Sequence, residues 1–153
     1  MSCNCSTKCG CKSTEILSKL LANSYSLLLK TQNIHWNVIS PDFRSIHLMT
    51  EDHYNNLFNA IDVIAERIRM IGGIAPATFE EFSKIATVKD SLNAKNGKEM
   101  LEELLAAHEI IRDDIKSGLS EISDAKDFGT EGILAERLSF HEKTIWMLKS
   151  TLE

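Results

Sequence analysis

Two histidines flank a short polar turn and could bind a metal ion. His35 and His47 lie twelve positions apart on either side of Pro41, in apolar surroundings where a core would usually contain leucine. Neutral imidazole is the commonest metal ligand among side chains. A single histidine in an apolar stripe is nevertheless more often an ordinary core residue, so the pair indicates a metal site only if further ligands lie nearby.

Carboxylates on the helix that follows the turn could supply those ligands. One histidine and three carboxylates occupy four positions that are spaced by 4, 11 and 4 residues. On a helix these four positions fall within an arc of about 100°. Tyr54 and Phe58 lie between them, and aromatic residues are unusual on a fully solvated face. This second face therefore predicts contact with another subunit. The four positions are His47, Glu51, Asp62 and Glu66.

Helix geometry constrains any such site. Glu51 and Asp62 are separated by about 16 Å along the axis, whereas metal–ligand bonds are only about 2.0–2.2 Å long. One metal centre therefore cannot use both carboxylates from the same chain. An antiparallel two-fold dimer would place His47 and Glu51 of one chain beside Asp62 and Glu66 of the other, which makes two identical sites. His35 could complete each site.

A simpler interpretation of these side chains stays open at this point. Carboxylates at four-residue spacing commonly form a solvated helix face, and Glu66 could pair with the nearby Arg67 or Arg69. The sequence contains no Glu-x-x-His, the motif that intra-bundle di-iron proteins supply from two helices. A metal site in this chain would therefore not be the usual one inside a bundle.

Four long helices would position these residues. Apolar residues recur at three- and four-residue steps from about residue 13 to 38, 42 to 72, 96 to 122 and 129 to 152. Ser13 or Thr14 offers a cap at the start of the first helix, and no segment has the alternating pattern of a strand. Four such helices predict an all-α bundle.

The connection between helices 2 and 3 fixes the topology. Residues 73–96 are long enough to cross from one end of a bundle to the other, and they contain a short helix with Thr78 as its cap. This is the ferritin-like form of the four-helix bundle. We predict a ferritin-like four-helix bundle domain over residues 13–153, preceded by a cysteine-rich tail over residues 1–12.

Composition restricts the class of protein. A chain of 153 residues with 43% hydrophobic and 25% charged residues suits one globular domain. A net charge of -5 disfavours a strongly basic nucleic-acid binder and suits the attraction of cations. No apolar run approaches the roughly 18–20 residues of a membrane span, and the first residues lack the pattern of a secretory signal. We therefore expect a cytoplasmic protein without membrane contact.

The tail contains all four cysteines of the chain, in the pattern C-x-C-x3-C-x-C. Four thiolates could hold Zn(II) or Cu(I), although the common C-x2-C spacing is missing. A redox-sensitive cross-linking tail and unstructured reactive thiols are alternatives. A cytosolic disulfide framework is not expected. The four residues are Cys3, Cys5, Cys9 and Cys11.

The sequence resembles the Dps proteins, which are dodecameric mini-ferritins. The resemblance covers about residues 14–152, and its most specific part is HWNV at 35–38, Phe43, His47 and DVIAER at 62–67. GTEGIL and HEKTIWMLKSTLE near the C-terminus resemble the last helix of the family. The combined motif is specific because several spaced positions match at once.

The resemblance implies an iron site, with one or two iron ions, between two subunits. By motif position, His35, His47 and Glu51 of one chain would meet Asp62 and Glu66 of its two-fold partner. The implied activity is a ferroxidase: Fe(II) is oxidised, preferably by hydrogen peroxide, and ferric oxide is stored in a hollow shell. Such a protein would limit oxidative damage.

Several residues within the matched region have more than one interpretation. The family typically has Asp where this chain has Glu51, which could coordinate iron directly or act through water. Trp36 would lie beside the centre, or would simply pack at the interface. The acidic iron-entry pores of the family suggest Asp124, Asp127 and Glu131, although favourable acids at a helix start explain these equally well.

DNA binding is the other activity of many Dps proteins, which use a lysine-rich N-terminal arm. This arm has only Lys8 and Lys12, and the chain is acidic. Because phosphate binding needs local positive charge, we expect weak or absent DNA binding. A nucleoid assembly that protects DNA and retains little iron oxidation is the alternative function.

Overall fold

The computed structural model describes residues 8–90 and 93–153, and these residues form an all-α fold without any strand. The prediction of a ferritin-like four-helix bundle is confirmed. Besides the four long helices, the described residues form one short α-helix, which lies in the long connection as predicted. A single 3-10 turn at Ser123–Ala125 precedes the last helix. The helices are α1 (Lys8–Asn37), α2 (Phe43–Met70), α3 (Phe79–Ile85), α4 (Gly97–Ile122) and α5 (Phe128–Leu152).

The four long helices form two packed pairs. The connection at residues 38–42 is short, so α2 runs antiparallel to α1 and packs along it. In the same way α5 packs on α4, and α1 also contacts α4. The connection at residues 71–96 carries α3 against α1. No helix in the described ranges is long and apolar enough to cross a membrane.

The core consists of the apolar stripes that the periodicity predicted. Leucine dominates the stripe of α1, and isoleucine dominates those of α2 and α4. β-Branched residues are tolerated here because burial of the stripe, rather than helix propensity, stabilises long packed helices. The largest fully buried side chains include Leu17, Leu21, Leu27, Ile34, Leu57, Ile64, Ile68, Leu104, Ile111, Ile115 and Leu134.

Two of the predicted helix caps are confirmed. Thr78 accepts a hydrogen bond from the backbone N–H of Glu81, whose carboxylate bonds back to the backbone of Thr78. Asn96 accepts from the backbone N–H of Glu99 at the start of α4. Each cap satisfies N–H groups that have no partner within the helix.

The predicted start of α1 is wrong by several residues. The helix begins at Lys8 rather than after a cap at Ser13. Ser13 is fully buried, and its hydroxyl donates to Asp127 Oδ2 at 2.7 Å, so a contact between helices uses the group that could have capped the helix. Residues 8–12 of the predicted tail are therefore helical.

The cysteine pattern falls mostly at the edge of the structure. Cys3 and Cys5 lie outside the described residues, Cys9 lies in the first turn of α1, and Cys11 is half-buried. A soft-metal role for the four thiolates stays a prediction.

One buried asparagine anchors the long connection to the bundle. Asn23 on α1 is fully buried. Its Nδ2 donates to Thr87 Oγ1 and to Asp114 Oδ2, at 3.0 Å each. Its Oδ1 accepts from the backbone N–H groups of Thr87 at 2.8 Å and Val88 at 3.0 Å. One side chain thus ties the connection to both α1 and α4.

We predict that Asn23→Ala destabilises the fold by about 2–3 kcal/mol, because the substitution leaves backbone N–H groups of the connection without acceptors. Chemical denaturation at fixed protein concentration measures the loss. Asn93→Ala, at an exposed position in the connection, is the matched control and should change stability by no more than about 0.5 kcal/mol. Equal effects of the two substitutions would contradict the anchoring role.

Candidate metal centre

His35 and His47 meet where α1 ends and α2 begins. His35 Nδ1 lies 2.9 Å from the backbone oxygen of His47, and His47 Nδ1 lies 2.9 Å from the backbone oxygen of His35. Each imidazole is thus bonded to the backbone of the other histidine. His35 is buried, whereas His47 is half-buried.

These two bonds determine which ring nitrogen is available to a ligand. A carbonyl oxygen can only accept, so the Nδ1 of each ring must carry the hydrogen. In the neutral imidazole the lone pair then lies on Nε2. Metal-binding histidines usually have this arrangement, because a second hydrogen bond fixes the tautomer and the ring orientation. The lone pairs of both Nε2 atoms are therefore available to a metal ion.

Neighbouring side chains hold the two rings in place. The imidazoles stack with centroids 3.7 Å apart and planes inclined by 15°. Phe43 stacks on the other side of His47 at 5.0 Å, and the edge of Tyr54 meets His35 at 5.1 Å. The fully buried Thr50 hydroxyl lies 3.3 Å from His35 Nδ1. The rings are therefore restrained on several sides.

The predicted carboxylate ligands do not all gather around this pair within one chain. Glu51 is half-buried one turn after His47, whereas Asp62 and Glu66 are exposed several turns further along α2. Among the residues that the structure describes, no group of three or more His, Cys, Asp or Glu side chains is arranged to hold a metal ion. A single chain thus presents two imidazoles and an incomplete ligand set.

Large apolar side chains are exposed at several points on the protein surface, near the histidines and further along α2. Trp36 is 66% exposed, Phe58 is 67% exposed and Met70 is 71% exposed. Phe43 and Val63 are also substantially exposed. Exposed apolar side chains of this size commonly mark interaction surfaces, and Phe43 and Phe58 lie on the second face of α2.

The acidic residues suggested for an iron-entry pore have different surroundings. Asp127 caps α5 by accepting from the backbone N–H of Thr130, and it also accepts from Ser13 and from Arg67 Nη2. Burial opposes a fall in the pKa of Asp127, but these hydrogen bonds outweigh it and lower the pKa. Asp124 is exposed and Glu131 is half-buried. Asp127 is therefore occupied by contacts within the chain.

Sequence reasoning missed a second histidine cluster inside the bundle. His53 on α2, His108 on α4 and His141 on α5 are each at most 4% exposed. The Nδ1 atoms of His108 and His141 lie 2.9 Å apart, and the rings of His53 and His108 are 6.1 Å apart. Each histidine occupied an apolar stripe in the sequence, so only the packing of the three helices shows that they are neighbours.

Burial keeps these histidines neutral. It lowers the pKa of His53 to about 4 and that of His141 to about 3, and it lowers the pKa of His108 well below its ordinary value. The charge of Arg137 lowers the pKa values of His108 and His141 further. His53 Nδ1, His108 Nε2 and His141 Nε2 are buried without a hydrogen-bond partner in the described residues.

A buried arginine lies beside this cluster. Arg137 is 2% exposed, and its Cζ lies 4.3 Å from the centroid of the Phe140 ring. Its Nη1 donates to Asn56 Oδ1 at 2.7 Å, whereas Nε and Nη2 are buried without a partner in the described part of the chain. Burial lowers the pKa of Arg137 to about 10, so the side chain stays positively charged at neutral pH.

Comparison with known proteins gives consistent results. The family described as Ferritin-like domain matches residues 14–153. DNA protection during starvation protein 2 of Bacillus anthracis is 31% identical over 138 residues, covering 90% of this chain and 94% of that protein. The structure of Dps from Thermosynechococcus elongatus has a TM-score of 0.91 at 31% identity, over 96% of this chain and 94% of that chain.

A third relative extends the comparison to metal chemistry. A Dps protein from Vibrio cholerae O1 is described as a member of a superfamily of ferritin-like diiron-carboxylate proteins. It has a TM-score of 0.89 at 26% identity, over 95% of this chain and 91% of that chain.

We predict that acid destabilises the bundle through His108 and His141. Their folded-state pKa values lie below the unfolded value of 6.5, so the neutral rings stabilise the fold above about pH 6.5. This stabilisation is lost as the pH falls towards about 3, at about 1.4 kcal/mol per pH unit for each histidine.

Chemical denaturation at about pH 7 and about pH 5 tests the acid effect. The loss of stability should be several kcal/mol, and it should be smaller in the double variant His108→Gln with His141→Gln. An equal loss in wild type and double variant would contradict the role of this pair.

Proposed function

Because the chain belongs to the Dps family of ferritin-like proteins, we propose that it is a ferroxidase and iron-storage protein. Fe(II) is the substrate, and each oxidation site is shared between two subunits. The observation that carries this proposal is the reciprocal bonding of His35 and His47 to each other's backbone. It presents two Nε2 lone pairs beside an exposed apolar surface, where a second copy can bind.

Asp62 and Glu66 of the second copy complete the ligand set. Each is too far along α2 to reach the histidines of its own chain, and both are exposed. An antiparallel two-fold pairing of α2 brings each pair of acids to the histidines of the other chain. Carboxylate and imidazole together suit Fe(II), and the negative charge offsets that of the metal ion. Glu51 lies one turn from His47 and contributes directly or through a bound water.

The stacking of the imidazoles favours two iron ions at each site. A metal ion binds in the plane of the imidazole ring that ligates it, and the two planes are nearly parallel with centroids 3.7 Å apart. One ion therefore cannot lie in both planes. Two ions, one on each ring, would then form a two-metal site.

Two Fe(II) ions supply the two electrons that reduce one molecule of hydrogen peroxide. The overall reaction converts two Fe(II), one hydrogen peroxide and two water molecules into two FeO(OH) and four protons. The oxidation consumes iron and peroxide together, so it removes both reactants that would otherwise generate hydroxyl radicals. The preference for peroxide over oxygen is part of the proposal and rests on the resemblance to the Dps proteins.

Storage requires a closed assembly, which we propose to be a dodecamer built from two-fold dimers. The exposed side chains of Trp36, Phe58 and Met70 support burial of this surface against other copies. Ferric oxide would then collect in the enclosed cavity. Asp124 and Glu131 remain candidates for iron entry, whereas Asp127 is better explained as the cap of α5.

Protection of DNA would follow from this chemistry rather than from DNA binding. Curated relatives carry the name DNA protection during starvation protein. In this chain the net charge is -5, and the ammonium group of Lys12 in the N-terminal arm pairs with Glu121. Little positive charge is left in the arm to contact phosphate. A gel shift that shows tight binding at physiological salt would favour the nucleoid function instead.

We predict that Asp62→Asn lowers the rate of Fe(II) oxidation at least tenfold, because one iron ligand loses its charge; even outer-shell groups of metal sites commonly contribute tenfold or more. The double variant His35→Ala with His47→Ala should lose as much activity. Anaerobic stopped-flow mixing of Fe(II)-loaded protein with peroxide or oxygen measures the rates. Asp52→Asn on another face of α2 is the matched control. If the wild-type protein and the Asp52→Asn control oxidised Fe(II) no faster than a protein-free reaction, the ferroxidase proposal would fail.

Mixed oligomers test whether the site is shared. We predict that subunits lacking the histidines (His35→Ala, His47→Ala) and subunits lacking the acids (Asp62→Asn, Glu66→Gln) complement each other. A random mixture makes half of the dimers mixed, and one of the two sites in each mixed dimer is intact. Co-assembled protein should therefore recover about a quarter of the wild-type rate. No recovery in proven mixed oligomers would place the complete site within one chain.

A further inference from the structure

The buried histidine cluster has the side chains of a metal site but does not have the arrangement of one. His53, His108 and His141 are neutral, so each ring offers a lone pair. They come from three different helices and have ring centroids 5.0–6.1 Å apart where contacts exist. Instead of converging on a common point, His108 and His141 bond to each other through their Nδ1 atoms at 2.9 Å.

Arg137 is the charged side chain that acts on both His108 and His141, whereas His53 is also affected by the charges of Asp52 and Lys143. Phe140 lies between the arginine and the histidines: its centroid is 4.3 Å from Arg137 Cζ, and 5.2 Å and 6.0 Å from the centroids of His141 and His108. No carboxylate in the described residues is hydrogen-bonded to the free Nε and Nη2 of Arg137. The side-chain charge that acts on His108 and His141 is therefore positive.

We propose that Arg137 excludes divalent cations from the His53–His108–His141 cluster, so that metal ions bind at the subunit surface and not inside the bundle. The guanidinium group acts here as a specificity-determining residue through repulsion. A positive charge beside the histidines repels a divalent ion, and this repulsion supplies the discrimination between the two groups of histidines. The exclusion does not depend on the ferroxidase activity.

The size of the effect is sufficient for this role. The contacts through Phe140 place the guanidinium within about 10 Å of each ring. At an effective dielectric constant of about 20, a single positive charge at this distance weakens the binding of a divalent ion on the order of a hundredfold or more. Glu136 is the carboxylate that acts on Arg137, but it is exposed and forms no hydrogen bond with the buried Nε and Nη2, so it offsets this repulsion only in part.

Removal of the charge should allow His108 and His141 to exchange their mutual hydrogen bond for a shared divalent ion, and so create a metal site. The test uses the full-length assembly with Asp62→Asn and Glu66→Gln as background, which weakens the surface site. Co(II) is titrated by equilibrium dialysis and by its visible absorption, which reports nitrogen ligation. Addition of Arg137→Gln should give one further Co(II) per subunit, bound on the order of a hundredfold more tightly than in the background protein. If Co(II) binding does not increase in the folded variant, the proposal is wrong.

Controls separate charge from packing. Arg137→Lys keeps the charge and should gain no Co(II); a gain equal to that of Arg137→Gln would overturn the proposal. Lys116→Gln, which removes one exposed positive charge on α4, should also gain none. Adding His108→Gln to Arg137→Gln should abolish the new site, because it removes one of the ligands. Retention of the site in that variant would also contradict the proposal.

A second variant keeps the test valid if Arg137→Gln does not fold. Asn56 Oδ1 already accepts from Arg137 Nη1 at 2.7 Å, so Asn56→Asp neutralises the arginine without a change in shape. Co(II) binding should increase in this variant, and the increase should depend on His108. An increase that persists with His108→Gln would assign the metal to the new carboxylate, and no increase would show that the charge of Arg137 is not the barrier.

Discussion

The pair of hydrogen bonds between His35 and His47 is the contact on which the candidate centre depends. Each ring is held by the backbone of the other residue, so the position of both imidazoles follows from the register between α1 and α2. The five-residue connection at 38–42 sets that register. A slip of one residue between the helices would break both bonds together. The ligand geometry is therefore a property of the helix pair rather than of two flexible side chains.

The fold could be predicted from sequence because its determinants are local and periodic. The apolar stripes, the caps at Thr78 and Asn96, and the long connection were each readable from the residues. The start of α1 was not, because the hydroxyl of Ser13 is used by Asp127, more than a hundred positions away. A local capping preference was replaced by a contact that exists only after the helices pack.

The candidate site also combines features that the sequence suggested with features that depend on packing between helices. The spacing of His47, Glu51, Asp62 and Glu66 on one helix face suggested candidate ligands and the need for a second chain, and the family resemblance suggested the iron chemistry; these remain predictions. The reciprocal backbone bonds could not be predicted, since they depend on distances between two helices. The buried cluster was also hidden, because His53, His108 and His141 each looked like one substitution in an otherwise apolar stripe.

The rotational position of α2 connects the two halves of the centre. Near its start the helix is fixed by His47, and near its end Arg67 donates through Nη2 to Asp127 and through Nε to Thr130. Gly129 leaves room for this contact, since a Cβ there would lie 2.7 Å from Arg67 Cζ.

Glu66 precedes Arg67 and therefore projects about 100° away from this anchor, on the face that carries Asp62. Both ends of α2 are thus held by polar contacts. These contacts fix the rotation of α2 about its axis, and therefore the relative directions of the histidine and the acidic residues. A two-fold pairing of α2 requires this constancy, because a rotation by one residue would move the acids off the face that meets the histidines of the second copy.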